Sequence, residues 1–157
     1  MPITYLKGDA TDPKQIKDEK MFLLHVCNNK GRWGRGFVLA ISNRWYEPES
    51  EYRKLKNYDL GVIQIVKIND DLSVVNMIAQ NGLGTYRRRV DYKQVKVCLN
   101  SFNSWVTEYK KKHKTNISIH MPRIGCGLGG GNWKTVEKII NNEIGEHNVF
   151  VYDFGKK

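Results

Sequence analysis

One pattern constrains this chain more than any other, and it occurs twice: an apolar run, a glycine-rich loop, and then apolar residues at helical spacing. Met21 to Val26 (MFLLHV) is almost continuously apolar, as in a central strand covered on both faces. Cys27, Asn28, Asn29, Lys30, Gly31, Arg32, Trp33, Gly34, Arg35 and Gly36 follow, and Gly34 to Trp45 carries Phe37, Val38, Ile41 and Trp45 with the period of a helix. Asn116 to Met121 is the second run. Five glycines then fall within residues 125–131, and Asn132 is placed to cap a helix bearing Val136, Ile139 and Ile140. Units of this kind build a sheet layered with helices.

The remaining elements fit that frame. Ile3 to Leu6 reads as a short strand. Leu60 to Ile68 and Leu72 to Ala79 are rich in Val and Ile, with Asn69, Asp70 and Asp71 as a turn between them, which predicts a hairpin and hence a mixed sheet. Asp91 is the expected N-cap of the longest helix, whose apolar face is Val95, Cys98, Leu99, Phe102, Trp105, Val106 and Tyr109. The helix after Asn132 stops near Gly145, and Val149 to Tyr152 is the closing strand. With no repeat or linker, residues 1–157 are expected to form a single α/β domain.

Composition excludes more than it selects. No apolar stretch approaches the roughly 20 residues needed to span a bilayer. MPITYLKGDATDP lacks the order of a signal peptide, so a cytoplasmic location is expected, with nuclear access in a eukaryote. Cys27, Cys98 and Cys126, odd in number and widely spaced, suit neither a disulfide framework nor a zinc motif. A formal charge of +10 points to a polyanionic partner or a phosphorylated ligand. Lys110, Lys111, Lys112 and Lys114 with His113 sit where a helix should end and complement its dipole. Arg87, Arg88 and Arg89 sit on a loop, where ligand contact is an equal reading.

Gly125, Gly127 and Gly130 form G-x-G-x-x-G, with Asp153 on the next strand. The expected domain leaves no room for the other strands of a dinucleotide fold. Lys134 and Thr135 imitate the end of a phosphate-binding loop, but Trp133 stands where its last glycine belongs. The shared physics survives: bare backbone lets amides approach an anion, and a helix start complements its charge. Two such loops at one sheet edge would fit a diphosphate between them. For either loop alone, glycine easing a tight turn is an equal reading.

Four segments carry a family resemblance: ITYLKGDAT, HVCNNKGRWGRGFVLAI, MPRIGCGLGGGNW and VFVYDF. Together they resemble the macro domain, the ADP-ribose-binding fold, over essentially the whole chain. The resemblance implies a three-layer α/β/α architecture around a mixed six-stranded sheet. It is strongest toward the branch holding yeast-type ADP-ribose-1''-phosphate phosphatases and terminal ADP-ribose protein glycohydrolases.

By that resemblance Asp9, with Ala10 beside it, meets adenine, the carboxylate accepting from its amino group; capping a turn is the other reading of Asp9. Tyr152 stacks on adenine or belongs to the core. Asn28 contacts the distal ribose. Gly34, Arg35 and Gly36, with Gly125, Cys126, Gly127 and Leu128, give backbone donors to the diphosphate. Gln80 and Gly129 occupy the positions of the glycohydrolases' Lys and Asp, which leaves a phosphatase or a binder. The leading expectation is metal-independent and cofactor-free hydrolysis of ADP-ribose-1''-phosphate, with His25 and Asn28 as catalytic candidates. His25 orients or deprotonates water, or is a satisfied core residue. His120 is a weaker candidate of the same kind, His113 and His147 are read as solvated, and Cys126 packs unless the helix start lowers its thiol pKa. The alternatives are a reader of ADP-ribose or ADP-ribosylated protein, and a deacetylase or protein ADP-ribosyl hydrolase. A monomer with an accessory affinity for nucleic acid is expected.

Overall fold

The computed structural model describes residues 2–83, 89–127 and 129–154. In chain order the elements are β1 (Thr4–Lys7), β2 (Glu19–Asn28), α1 (Phe37–Arg44), α2 (Glu47–Arg53), β3 (Ile63–Lys67), β4 (Leu72–Gln80), α3 (Tyr92–His113), β5 (Asn116–Pro122), α4 (Trp133–Ile144) and β6 (Asn148–Asp153). The six strands form one sheet in the order β1-β6-β5-β2-β4-β3. All neighbours are parallel except the β3–β4 hairpin, so the expected mixed sheet is present.

Alternation along β2 explains the layers. Met21, Leu23 and Cys27 enter one apolar cluster with Val38, Ile41 and Tyr52 of α1 and α2. Phe22 and Leu24 enter another with the α3 residues Val95, Leu99 and Phe102 and the α4 residues Val136 and Ile140. A strand whose side chains leave on both faces needs helices on both faces, which is why MFLLHV is continuous rather than alternating. The architecture is therefore the three-layer α/β/α one.

Helix ends follow the sequence signals. The Asp91 carboxylate accepts from the Gln94 amide at 3.2 Å, and Asn132 accepts from the Thr135 amide at 3.3 Å. Lys114 ends α3 in the left-handed region at φ 49° after three lysines and His113 in the last turn. Three features differ from the sequence reading. The first helix begins at Phe37 rather than Gly34, because Gly36 takes φ 79° and keeps the preceding glycines in the loop. The short α2, EPESEYR, was not read at all: its sole large apolar side chain is Tyr52, so it has no periodicity, although Pro48 and two acids in its first turn are start signals. Trp105, expected in the buried face of α3, is instead partly exposed, stacked between Phe102 and Tyr109.

Among the described residues no helix is long and apolar enough to cross a membrane. Phe22 is fully buried and meets Phe102, Trp105 and Tyr109 edge-on at 5.5, 5.6 and 5.5 Å. Phe22→Ala is expected to lower the unfolding free energy by about 3–5 kcal/mol, measured as a lower urea midpoint with an unchanged denaturant slope.

Candidate functional site

Parallel pairing of β2 with β5 brings the loops that follow them to the same sheet edge. They face each other across a cleft of about 480 Å³. Gly34, Arg35 and Gly36 line one side, with Phe37 at the start of α1; Gly125 and Gly127 line the other. Arg32, Arg35 and Arg123 are among the lining residues, and no Asp or Glu is among the described ones. Such a cleft suits an anion.

The glycines divide into two kinds. Gly36 and Gly125 hold φ of 79° and 73°, where a side chain is strained. A Cβ on Gly125 would also lie 2.6 Å from the Val90 side chain. Gly34 and Gly127 have no such constraint: neither φ is in the left-handed region, and a Cβ on either would meet nothing within 4 Å among the described residues. The fold does not require glycine at those two positions, one on each wall.

Local chemistry fixes the first loop. Asn28 Oδ1 accepts from the amides of Lys30 at 2.9 Å and Arg32 at 3.3 Å, and Asn28 Nδ2 donates to the Arg32 carbonyl at 2.8 Å. Tyr52 of α2 donates its hydroxyl proton to the Asn28 carbonyl at 2.7 Å. The buried Trp33 donates from Nε1 to Ser42 Oγ at 2.7 Å, and Ser42 donates on to Glu49 of α2 at 2.8 Å. Asn28 lines the cleft, yet its amide is committed to the loop. These bonds make Asn28 a brace of the first loop, and none of them bears on its reading as a catalytic group.

Other candidates also move. His25 lines the cleft but is 1% exposed, and burial lowers its pKa to about 4, so it is a poor base near neutrality. Tyr152 is 5% exposed, with its hydroxyl 2.8 Å from His120 Nδ1 and accepting from the Lys14 amide at 2.9 Å. Packed in the α1/α2 cluster with Ala10 and bonded to the Lys14 backbone, it takes the core place that was its other reading. Phe154, two residues on and 73% exposed, is the aromatic free at that strand end. His120 is likewise inside, bonded to Ser118 Oγ at 2.8 Å, with its pKa lowered to about 4 by burial. His147, read as solvated, is buried against Asn103.

Asp9 Oδ1 accepts from the Thr11 amide at 2.8 Å and the Thr11 hydroxyl at 2.7 Å, the turn-capping arrangement, and Ala10 packs in the core. Cys126 packs against the α3/α4 core, and burial raises its thiol pKa to about 11, opposite to the shift a helix start would give. The start of α4 is spent internally, Asn132 donating its amide to the Tyr92 hydroxyl at 2.8 Å. Among the described residues the start of α1 lines the cleft and that of α4 does not. Leu128, Arg87 and Arg88 lie outside the described residues, and the Arg89 amide donates to the Gly129 carbonyl at 2.8 Å.

Arg123, in the MPRIG segment, carries no sequence signature of its own. It forms a paired contact with Asp153, Nε to Oδ1 at 2.6 Å and Nη2 to Oδ2 at 3.1 Å, and lies over the rings of Tyr5 and Trp133 at 5.3 and 5.2 Å. The guanidinium holds the Asp153 carboxyl below its usual range. Tyr5 also donates to Glu137. This cluster ties β1, β5, β6 and the start of α4 together beside the second wall.

No family model matches the chain. Over 98% of its length it superposes on 99% of a macrodomain protein from Streptomyces coelicolor, at 34% identity and a TM-score of 0.79. The chain belongs to the macrodomain family. A protein of unknown function from Bacteroides thetaiotaomicron shares 41% identity and a TM-score of 0.85, with 98% of each chain covered. Among curated relatives, the Danio rerio chromodomain-helicase-DNA-binding protein 1-like is 27% identical over 160 residues. The macrodomain chain spans 15% of that protein and 17% of its Mus musculus counterpart. ADP-ribose 1''-phosphate phosphatase of Saccharomyces cerevisiae (strain YJM789) is 23% identical over 177 residues, covering 96% of this macrodomain and 97% of that protein.

The buried histidines give this macrodomain an acid-sensitive side. In the unfolded chain His25 and His120 take up protons near pH 6.5; in the folded one they do so only near 4. Between those values the unfolded state binds more protons, so stability falls as pH drops from about 6.5 toward 4 and is insensitive to these groups above that window. The loss should be on the order of 3 kcal/mol for each histidine. Urea midpoints measured from pH 7.5 to 4.5 should show it, and His120→Gln should flatten the slope.

Proposed function

We propose that the cleft binds ADP-ribose, with its diphosphate between the 34–36 and 125–127 backbones. The observation that carries this reading is the pair of glycines, Gly34 and Gly127, kept on opposite walls where the fold leaves room for a side chain. Bare backbone there admits a ligand's anionic oxygens to amide distance. The positive charge of Arg32 and Arg35, both lining residues, and the start of α1 favour an anion on the same wall. Phe154 replaces Tyr152 as the aromatic for adenine, and the second carboxylate oxygen of Asp9 is the acceptor for its amino group.

Hydrolysis of ADP-ribose-1''-phosphate is the reaction to test first, supported by the end-to-end similarity to the yeast enzyme of that name. In phosphoryl transfer the protein's work is positioning and charge stabilisation. The two loops and Arg35 suit that work. A general base with a neutral-range pKa is not among the described lining residues. A reader of ADP-ribose or of ADP-ribosylated protein is the alternative.

Gly127→Val and Gly34→Val are expected to weaken ADP-ribose binding in calorimetry by more than tenfold, roughly 1.4 kcal/mol or more, with melting temperatures close to wild type. Unchanged affinity in both variants would sink the diphosphate placement. Phe154→Ala should cost about 1–3 kcal/mol of affinity. Phosphate released from ADP-ribose-1''-phosphate by the wild type, and lost in Arg35→Ala, would establish the phosphatase; tight binding without release would establish the reader.

A further inference from the structure

The sheet ends on β3, whose far side no strand covers among the described residues. Ladder alternation fixes which groups it leaves open. The Ile68 amide donates to the Leu72 carbonyl at 3.0 Å, and the Ile78 amide to the Val62 carbonyl at 2.9 Å. With Gln64 opposite Asn76 and Val66 opposite Val74 in the same antiparallel register, residues 62, 64, 66 and 68 bond inward. Ile63, Ile65 and Lys67 therefore turn their N–H and C=O groups away from β4. The side chains of Ile63 and Ile65 lie on the α3 face, half-buried against the core that holds their neighbours Met77 and Val75.

One stripe of α3 runs beside this edge. Val97, Ser101 and Trp105 fall at i, i+4 and i+8, and Val97 and Trp105 are 41% and 38% exposed. α3 closes over the start of the strand: a Cβ on Gly61 would lie 3.0 Å from Val97 Cγ1. At the other end Trp105 meets Phe22, which lies opposite Ser73, itself opposite Lys67. The stripe thus spans the edge from Gly61 to Lys67, with the small Ser101 between its two apolar members. Open backbone groups beside an apolar stripe are what an added strand needs. Charge decides which strand. Lys93 and Lys96 lie within a turn of Val97, and Lys112 continues the stripe past Trp105. Against them stand Asp59, and Asp70 and Glu108 in pairs with Lys67 at 3.2 Å and Lys111 at 3.8 Å. Both ends stay positive, so a second copy, with its own formal charge of +10, brings like charge. We infer that the β3 edge docks a strand of another protein: an extended apolar segment with acidic residues at its ends. Its apolar side chains cover Val97 and Trp105, and its acids meet Lys93 and Lys96 at one end and Lys112 at the other.

The probe is a capped peptide of alternating valine and threonine with glutamates at both ends, added to the whole ¹⁵N-labelled chain. Amide exchange should slow at Ile63, Ile65 and Lys67, the outward donors, and stay as it was at Gln64 and Val66, already bonded within the ladder. The Trp105 indole resonance should move in the same titration. A counterpart peptide with lysines in place of the glutamates should bind about tenfold more weakly, since like charges then meet at both ends. Val97→Glu, at an exposed position, should weaken the glutamate-ended peptide by about tenfold for the same reason. No change in exchange, slowing shared equally by Gln64 and Val66, or equal binding of the two peptides overturns the inference. So does a dimer in sedimentation that Val97→Glu dissociates, because a second copy then covers the edge. If Val97→Glu does not fold, the exchange pattern and the peptide pair on the wild type decide alone.

Discussion

The site depends on the parallel pairing of β2 with β5, in which Glu19 lies opposite Asn116 and Leu23 opposite His120. In a parallel pair both strands end at the same edge, so the loops that follow them begin a strand spacing apart, about 4.8 Å. Two amide-bearing loops can then share one ligand. Had either strand run the other way, or had another strand come between them, the same glycines would line two unrelated turns. Everything else on the first wall exists to hold that geometry. Asn28 staples residues 28–32, Trp33 plugs the loop into the α1/α2 layer, and Tyr52 anchors it from α2.

Electrostatics and burial act in different places. The cleft lining holds three arginines and no carboxylate among the described residues, while the histidines beneath it are neutral and, His25 Nδ1 apart, paired. On the α1/α2 side of the sheet, His25 with Asn76 and Gln64 forms one buried chain, and Ser118 with His120 and Tyr152 forms another. Buried polar chains are costly if half satisfied and rigid if complete. The second is complete on both ring nitrogens and ties the 10–18 segment to β5 and β6. The first ends at His25 Nδ1, next to the cleft.

The fold was legible because its signals are local and strong. Asp91 and Asn132 cap where their sequence patterns say, and the Asn69–Asp71 turn makes the hairpin. What failed to show was what depends on packing. Tyr152 and Phe154 are two residues apart on one strand end, and sequence gives no sign that one is sealed under the 10–18 segment and the other exposed. Cys126 sits near a helix start in sequence, yet packing against the α3/α4 core desolvates its thiol and raises its pKa. Arg123 was passed over because a lone arginine after a strand has no signature until Asp153, Tyr5 and Trp133 are placed around it.

Sequence alone determined the alternation of strands and helices, the caps, the two glycine loops and the excess of positive charge. These follow from backbone preferences and hydrophobic period, which act over a few residues. Tertiary structure decided strand order, which glycines are forced by φ and which are free, and whether a histidine meets water or a closed row of amides. Those properties arise from groups far apart in the chain: His25 is set by Asn76, Gln64, Glu51 and Pro48, no one of which lies within 20 residues of it.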